Sequence, residues 1–416
     1  YNNTHIGSRS GSALVATSSA DVNIDADRIK TDEGTTYINT TGAVVAEPIA
    51  TTNWSEGSNW VVTTGSISTQ RPSSIRIGAD QGTRDSTADM YVAAPQVAAG
   101  PIKIFSGTIG LNANLTSTAS GAQILVKASR TIYSYASRAY QTNYGPITFW
   151  SNSAMSTVNN GYVDIAGSNN FNSANGTAQP TNKATSTAAA ASVDTGDITF
   201  GGGVADSTIP DVPAGYAFAP SGVGMSGVHL NTNTTIFTGG GDLTIRGKSN
   251  SASAWWGGIL IRYGINANAG TGRIIIDGDS SGTTADWAAG VQLQHGAWGG
   301  AARYVSAYSG TGPAIKVTGI AGANAPGIDA SYHGYSYSGG SPTIQTLGTA
   351  GIEFNGSNPG TTTSDYGVEL NGAGLFSRTG DIVINGGYSG VRMSGYYYSD
   401  QYVNYRGYTI LGDYPN

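Results

Sequence analysis

The chain has 416 residues, 61 of them glycine, with only 11% charged residues and a formal charge of -6. So few charges on so long a chain favour an elongated array over a charge-coated globule, and the acidic balance offers no basic stripe to nucleic acid or an anionic membrane surface. With no cysteine there is no disulfide scaffold and no thiolate metal site, and no segment approaches the roughly 18 consecutive apolar residues of a membrane span.

Short strands are expected from the start of the chain. "DVNIDADRIKT" from Asp21, "GTTYINTTGAVVAEP" from Gly34, "GPIKIFSGTIGLNANLTSTASGAQILVKA" from Gly100 and "GPITFW" from Gly145 place apolar residues in alternation between turn-forming Gly, Asn and Ser. Two low-complexity excursions, Ser168 to Thr195 and Ser207 to Gly222, read as surface loops, because the strand pattern resumes unchanged after each. From Gly196 the pattern tightens into two phrases. Phrase A, Gly-x-apolar-x-apolar-x-Gly, starts at Gly196, Gly241, Gly272, Gly312, Gly351 and Gly380. In its "GDLTI" copy Leu243 and Ile245 face one way, Asp242 and Thr244 the other. Phrase B, Gly-(Val/Ile)-x-(Leu/Met), starts at Gly227, Gly258, Gly290, Gly367 and Gly390, with a weaker copy at Gly327.

The two phrases alternate without a break, and successive A phrases start 45, 31, 40, 39 and 29 residues apart, as in one repeated architecture with loops of variable length. No stretch has an amphipathic helical period. The predicted fold is therefore all-β, a coil of strands wound about one axis, each coil stacked on the last at about 4.8 Å with like phrase pairing like phrase in parallel. Stacking places the glycines over common corners, where positive φ or close packing is required. Two strands per coil are clear, and a third is left open. At roughly 30 residues per coil the chain makes about 14 coils and a rod on the order of 65 Å long. Residues 1–416 are read as one elongated unit, looser over 1–195 and regular over 196–416. The chain starts at Tyr1 with no charged and apolar leader, which points to a processed, truncated or recombinant chain.

"DRIKTDEGTTYINTTGAVVAEP", "GLNANLTSTASGAQILVKA", "QTNYGPITFWSNS", "GGGDLTIRG" and "GVELNG" resemble the repeats of filamentous-haemagglutinin-like bacterial surface proteins. The resemblance is clearest over 21–150 and 196–395. It implies a right-handed parallel β-helix (β-solenoid), exported by a two-partner or autotransporter type of route, at the bacterial cell surface or outside the cell, and used in adhesion or as a structural element. The family's secretion domain is not evident, and the stretch "GYSGVRMSGYYYSDQYVNYRGY" is richer in tyrosine than the family pattern.

Chemistry is sparse. Asp242, Asp277 and Asp381 lie in or beside phrase A, and the two that follow its first Gly are accounted for by turn chemistry, so no catalytic carboxylate pair is expected. "DGDSSG" from Asp277 opens like a calcium loop, but Ala288 stands where the bidentate Glu belongs, and the stretch reads as an exposed turn. "GVGMSG" from Gly222 runs into a strand instead of a helix, so it offers no phosphate cradle. His229, His295 and His333 follow phrase B at unequal offsets and read as exposed, unliganded imidazoles. Neither a metal nor a cofactor is expected.

Aromatic residues just before phrase B are the most informative signal outside the core: Trp255, Trp256, Trp287, Tyr366 and Tyr388. Rings stacked at that corner either seal the end of the core or form a strip for sugar rings or a neighbouring rod. The expected function is a non-catalytic adhesin or structural rod whose partner is a host or neighbouring-cell glycan or protein. The alternatives are a subunit that assembles end to end into an extracellular filament, and a polysaccharide lyase or hydrolase on the same fold.

Overall fold

The computed structural model describes residues 3–5, 13–16, 19–25, 28–30, 36–47, 58–80, 89–155, 160–174, 196–294 (without 210 and 232), 302–331 (without 323), 342–359, 366–387, 390–394 and 408–411. Among them every regular element is a strand. Most strands pair in parallel with the strand three places before and after them, so that, beside one two-stranded pair near the start, the chain winds through three sheets of 11, 12 and 15 strands. This is a parallel β-helix, and the twelve rungs of the middle sheet rise about 55 Å.

Phrase A forms one wall, the A face. Ile198–Ala205, Leu243–Ser249, Ile274–Asp279, Ile315–Ile320, Ile352–Ser357 and Ile382–Asn385 lie in register, so that Ile198, Leu243, Ile274, Ile315, Ile352 and Ile382 stack in one inward column. Phrase B forms the B face, where Val228, Ile259, Val291, Ile328, Val368 and Val391 stack likewise. The third strand left open by the sequence is present too and completes a third face, which includes Thr235–Phe237, Asn266–Asn268, Arg303–Ser306, Thr343–Thr346 and Gly374–Ser377. The looser N-terminal coils join the same sheets, since Ile147–Ser151 pairs directly with Ile198–Ala205 across the low-complexity stretch.

Two seams explain the recurring glycines. At the entrance to the A face, Gly145, Gly196, Gly241 and Gly272 form a column in which a Cβ on each would fall on the main chain of the coil beneath. Hydroxyls secure this corner: Thr142, Ser173, Thr238 and Ser377 donate to the carbonyls of Gly145, Gly196, Gly241 and Gly380. At the corner from A face to B face, the glycine that closes phrase A meets the one that opens phrase B. A Cβ on Gly278 would land on the Gly290 carbonyl, on Gly319 on that of Gly327, and on Gly356 on that of Gly367.

The core is continuous, and its bulkiest part lies in the middle coils, where Tyr140, Phe149, Phe171 and Phe200 are fully buried against one another. The excursion from Ser207 to Gly222 is more than a surface loop. Pro213–Gly215 adds an antiparallel strand to Ile198–Ala205, and Ala217–Ala219 pairs with the end of Leu243–Ser249. The segment just before Pro213, which carries Asp211, reaches down the outside of the A face as a strap. Asp211 accepts hydrogen bonds from Lys103 Nζ at 2.7 Å, three coils below its own strand, and from Gln123 Nε2 at 2.8 Å, two coils below. The outward-facing Leu125, Thr148, Trp150 and Thr199 are buried as a result, and Trp150 Nε1 donates to the Gly203 carbonyl at 2.9 Å. The physical reason is local: outward apolar side chains on three adjacent coils need a cover.

Burial opposes ionisation of Asp211, but the bonds from Lys103 and Gln123 and the nearby lysine charges outweigh it and hold the carboxyl below its ordinary value of 3.8. A depressed folded value means that the contribution to stability is complete above 3.8 and lost as pH falls through the lower folded value. Pepsin is therefore expected to cut within 206–216 increasingly as pH falls below 3.8 while leaving the rest of the rod intact, and Asp211→Asn is expected to remove the pH dependence of that cut. Cleavage of Asp211→Asn as pH-dependent as that of the wild type would show that Asp211 does not hold the strap.

Candidate functional site

The loops that lead from the A face to the B face repeat one turn on successive coils. In the first, Ser251 Oγ accepts from the Ser253 amide; in the second, Thr283 Oγ1 accepts from the Ala285 amide and donates to the Ser251 carbonyl. The loops are then joined by main-chain bonds from Trp255 to Asp286 and from Gly258 to Ala289. Their registration brings the two tryptophans together. Trp255 and Trp287 are parallel to within 8°, with ring centroids 5.4 Å apart, in the offset stack that aromatic quadrupoles favour.

Both residues occupy the left-handed region, φ 73° and 63°, which costs a bulky L-residue about 1–3 kcal/mol. Both are exposed, at 38% and 48%. Rings that sealed the core would be covered, so of the two sequence readings the outward strip describes this pair. The turn is held from behind: Gln292, buried on the B face, donates its side-chain amide to the Trp287 carbonyl, and Asn324 bonds the Asp286 carboxylate at 3.1 Å.

The remaining members of the expected strip diverge. Trp256 turns back over the B face, half-buried, with its ring edge-to-face with His229 at 5.4 Å and Arg262 above it at 5.7 Å. Tyr366 is half-buried beneath Arg392 at 5.6 Å, two coils beyond Trp287. Tyr388 lies outside the described residues, as do His295 and His333.

His229 corrects the sequence reading. It is buried, with its Nδ1 2.8 Å from Asp164 Oδ1, because the Trp256 loop folds over its outward position. Asp242, Asp277 and Asp279 have structural partners. Asp242 accepts from the Arg273 amide and guanidinium, which ties one coil to the next. In "DGDSSG", Asp279 pairs with Lys248 at 2.6 Å, and Asp277 accepts from the Tyr216 hydroxyl at 2.8 Å while burial pushes its carboxyl up. Among the described residues no group of three His, Asp or Glu is gathered for a metal ion, and no helix is long and apolar enough to cross a membrane.

Sequence reasoning missed one cluster. Tyr91 and Tyr133 occupy the outward x position of loose phrase-B copies, "DMYV" and "TIYS", in the same column as Asp164 and His229. The signal was present, but these copies lack the opening glycine.

Fold and site together define a three-faced parallel β-helix that displays a braced tryptophan stack. Comparison of the chain with protein-family models, curated proteins and solved structures finds no match.

Proposed function

We propose that the chain is a non-catalytic rod at the bacterial cell surface or outside the cell, of the filamentous-haemagglutinin-like kind, which contacts a glycan or protein through its loops and exposed aromatics. The observation that carries this reading is the Trp255–Trp287 stack. Two large aromatic residues sit on strained backbone and in solvent, where a glycine would cost less and nothing in the core gains. Such strain is retained where the display itself is used, and aromatic rings held rigid lose little entropy on binding.

The double variant Trp255→Ser, Trp287→Ser is expected to keep the far-ultraviolet β spectrum and to lose at least about tenfold in binding to the cell-surface glycans or matrix proteins that the wild type retains on an array. Unchanged retention would remove the stack from the reading. Release of new reducing or unsaturated ends from polysaccharide by the wild type would replace the reading with the enzymatic one.

A further inference from the structure

The outer side of the B face carries a second aromatic array, distinct from the Trp255–Trp287 pair. Tyr91 and Tyr133 meet edge-to-face at 6.0 Å, and Tyr133 stacks on Tyr135 at 4.9 Å and 25°. Gly110, between Tyr91 and Tyr133 in the column, makes the contact possible, since a Cβ there would lie 2.9 Å from the Tyr133 ring. On the next coil Asp164 lies near enough for its charge to act on Tyr135, and it holds His229, which carries Trp256. Burial and then the Asp164 charge push the Tyr135 phenol up to about 12, so it stays a neutral donor at physiological pH. Tyr135 is nevertheless 57% exposed, one side of its ring taken by Tyr133.

The array runs with the rod axis. From Met90 through Ile109, Ile132, Val163 and Val228 to Ile259 there are five pairing steps, about 24 Å. Over that span Asp89 pairs with Arg130 at 3.1 Å and Asp164 lies 2.8 Å from His229, while Arg262 rests on Gln294 at 3.2 Å and on Trp256. The weakly positive C–H faces of a pyranose suit the negative faces of fixed rings. Phenol hydroxyls beside the rings serve sugar hydroxyls. The length and direction of the array suit a chain of sugars, since each further ring contact is made at high effective concentration.

We infer that this array is a track for an extended polysaccharide of neutral pyranose units laid along the rod. The inference rests on the glycan-contacting reading above but on different residues. The test uses neutral homo-oligosaccharides of two and six units, of glucose, xylose, mannose, galactose and N-acetylglucosamine, titrated calorimetrically into the whole chain. For at least one series, the hexamer is expected to bind at least about tenfold tighter than the dimer, with little dependence on salt. Tyr135→Ala, at an exposed position, is expected to keep the β spectrum and lose about tenfold for the hexamer. The Trp255→Ser, Trp287→Ser protein should keep that affinity. Equal affinity for dimer and hexamer, an unaffected Tyr135→Ala variant, or no binding in any series overturns the track. If only the tryptophan variant loses array binding, the proposed function stands without it.

Discussion

Gly278→Ala is expected to destabilise the rod by about 3 kcal/mol, although it adds one methyl group to a β-strand. The strand itself would tolerate alanine, since Gly278 is not among the glycines at positive φ. The cost comes from the seam. The new Cβ would fall on the carbonyl oxygen of Gly290 and close to Val291 Cγ2, and that carbonyl belongs to the main chain of the next face, which cannot rotate away. Moving it breaks the registration of Val291–Leu293 with Ile259–Ile261 and Ile328–Ser331. Gly222→Ala is the control, because Gly222 has φ 89° but open space around a Cβ, and its cost should be the conformational term alone, about 1 kcal/mol. Urea melts followed by circular dichroism measure both. Equal midpoints would mean that the seam is looser than its geometry implies.

Phe149→Ala is expected to cost about 4 kcal/mol, in the middle of the range for truncation of a buried aromatic. Phe149 is fully buried and touches three rings: Tyr140 at 5.2 Å, Phe171 at 5.3 Å and Phe200 at 5.6 Å. These come from two of the three faces, so truncation opens a void at the centre of the coil and loosens the coils above and below. Collapse is opposed by strand pairing on every side, so the cavity should persist. Phe376→Ala, at an exposed position on the third face, should fall within about 0.5 kcal/mol of wild type. A similar cost for the two variants would contradict the assignment of the ring cluster as the principal packing unit of the middle coils.

Both phrases of the coil were legible in the sequence because each A strand buries two side chains, such as Leu243 and Ile245, between glycines that mark its ends. The third strand was not. A segment such as Asn266–Asn268 buries one side chain, Ala267, between two polar residues, and one buried position creates no period. Trp255 and Trp287 could be placed at one corner, but their stacking depends on a positive φ at each and on bonds between loops 32 residues apart, which no pattern of residue types expresses. His229 was misread because its cover, Trp256, arrives from the following coil. The strap was misread for a similar reason: "STIPDVPAGYAFAPSG" looks like a loop, and its anchors, Lys103 and Gln123, lie about a hundred residues earlier. Relations between neighbouring rungs could be inferred from repetition, while those made by single departures from the repeat could not.

The Asp211 strap has a consequence for how the molecule comes apart. In a pile of coils each layer grips only the two it touches, so damage at one layer can spread as fraying does along a cut rope. A segment that leaves one layer and is tied down three layers away binds those four as a parcel, and they must let go together. Unravelling should slow on reaching that parcel, which shelters the aromatic centre of the rod and the tyrosine array on its neighbouring wall.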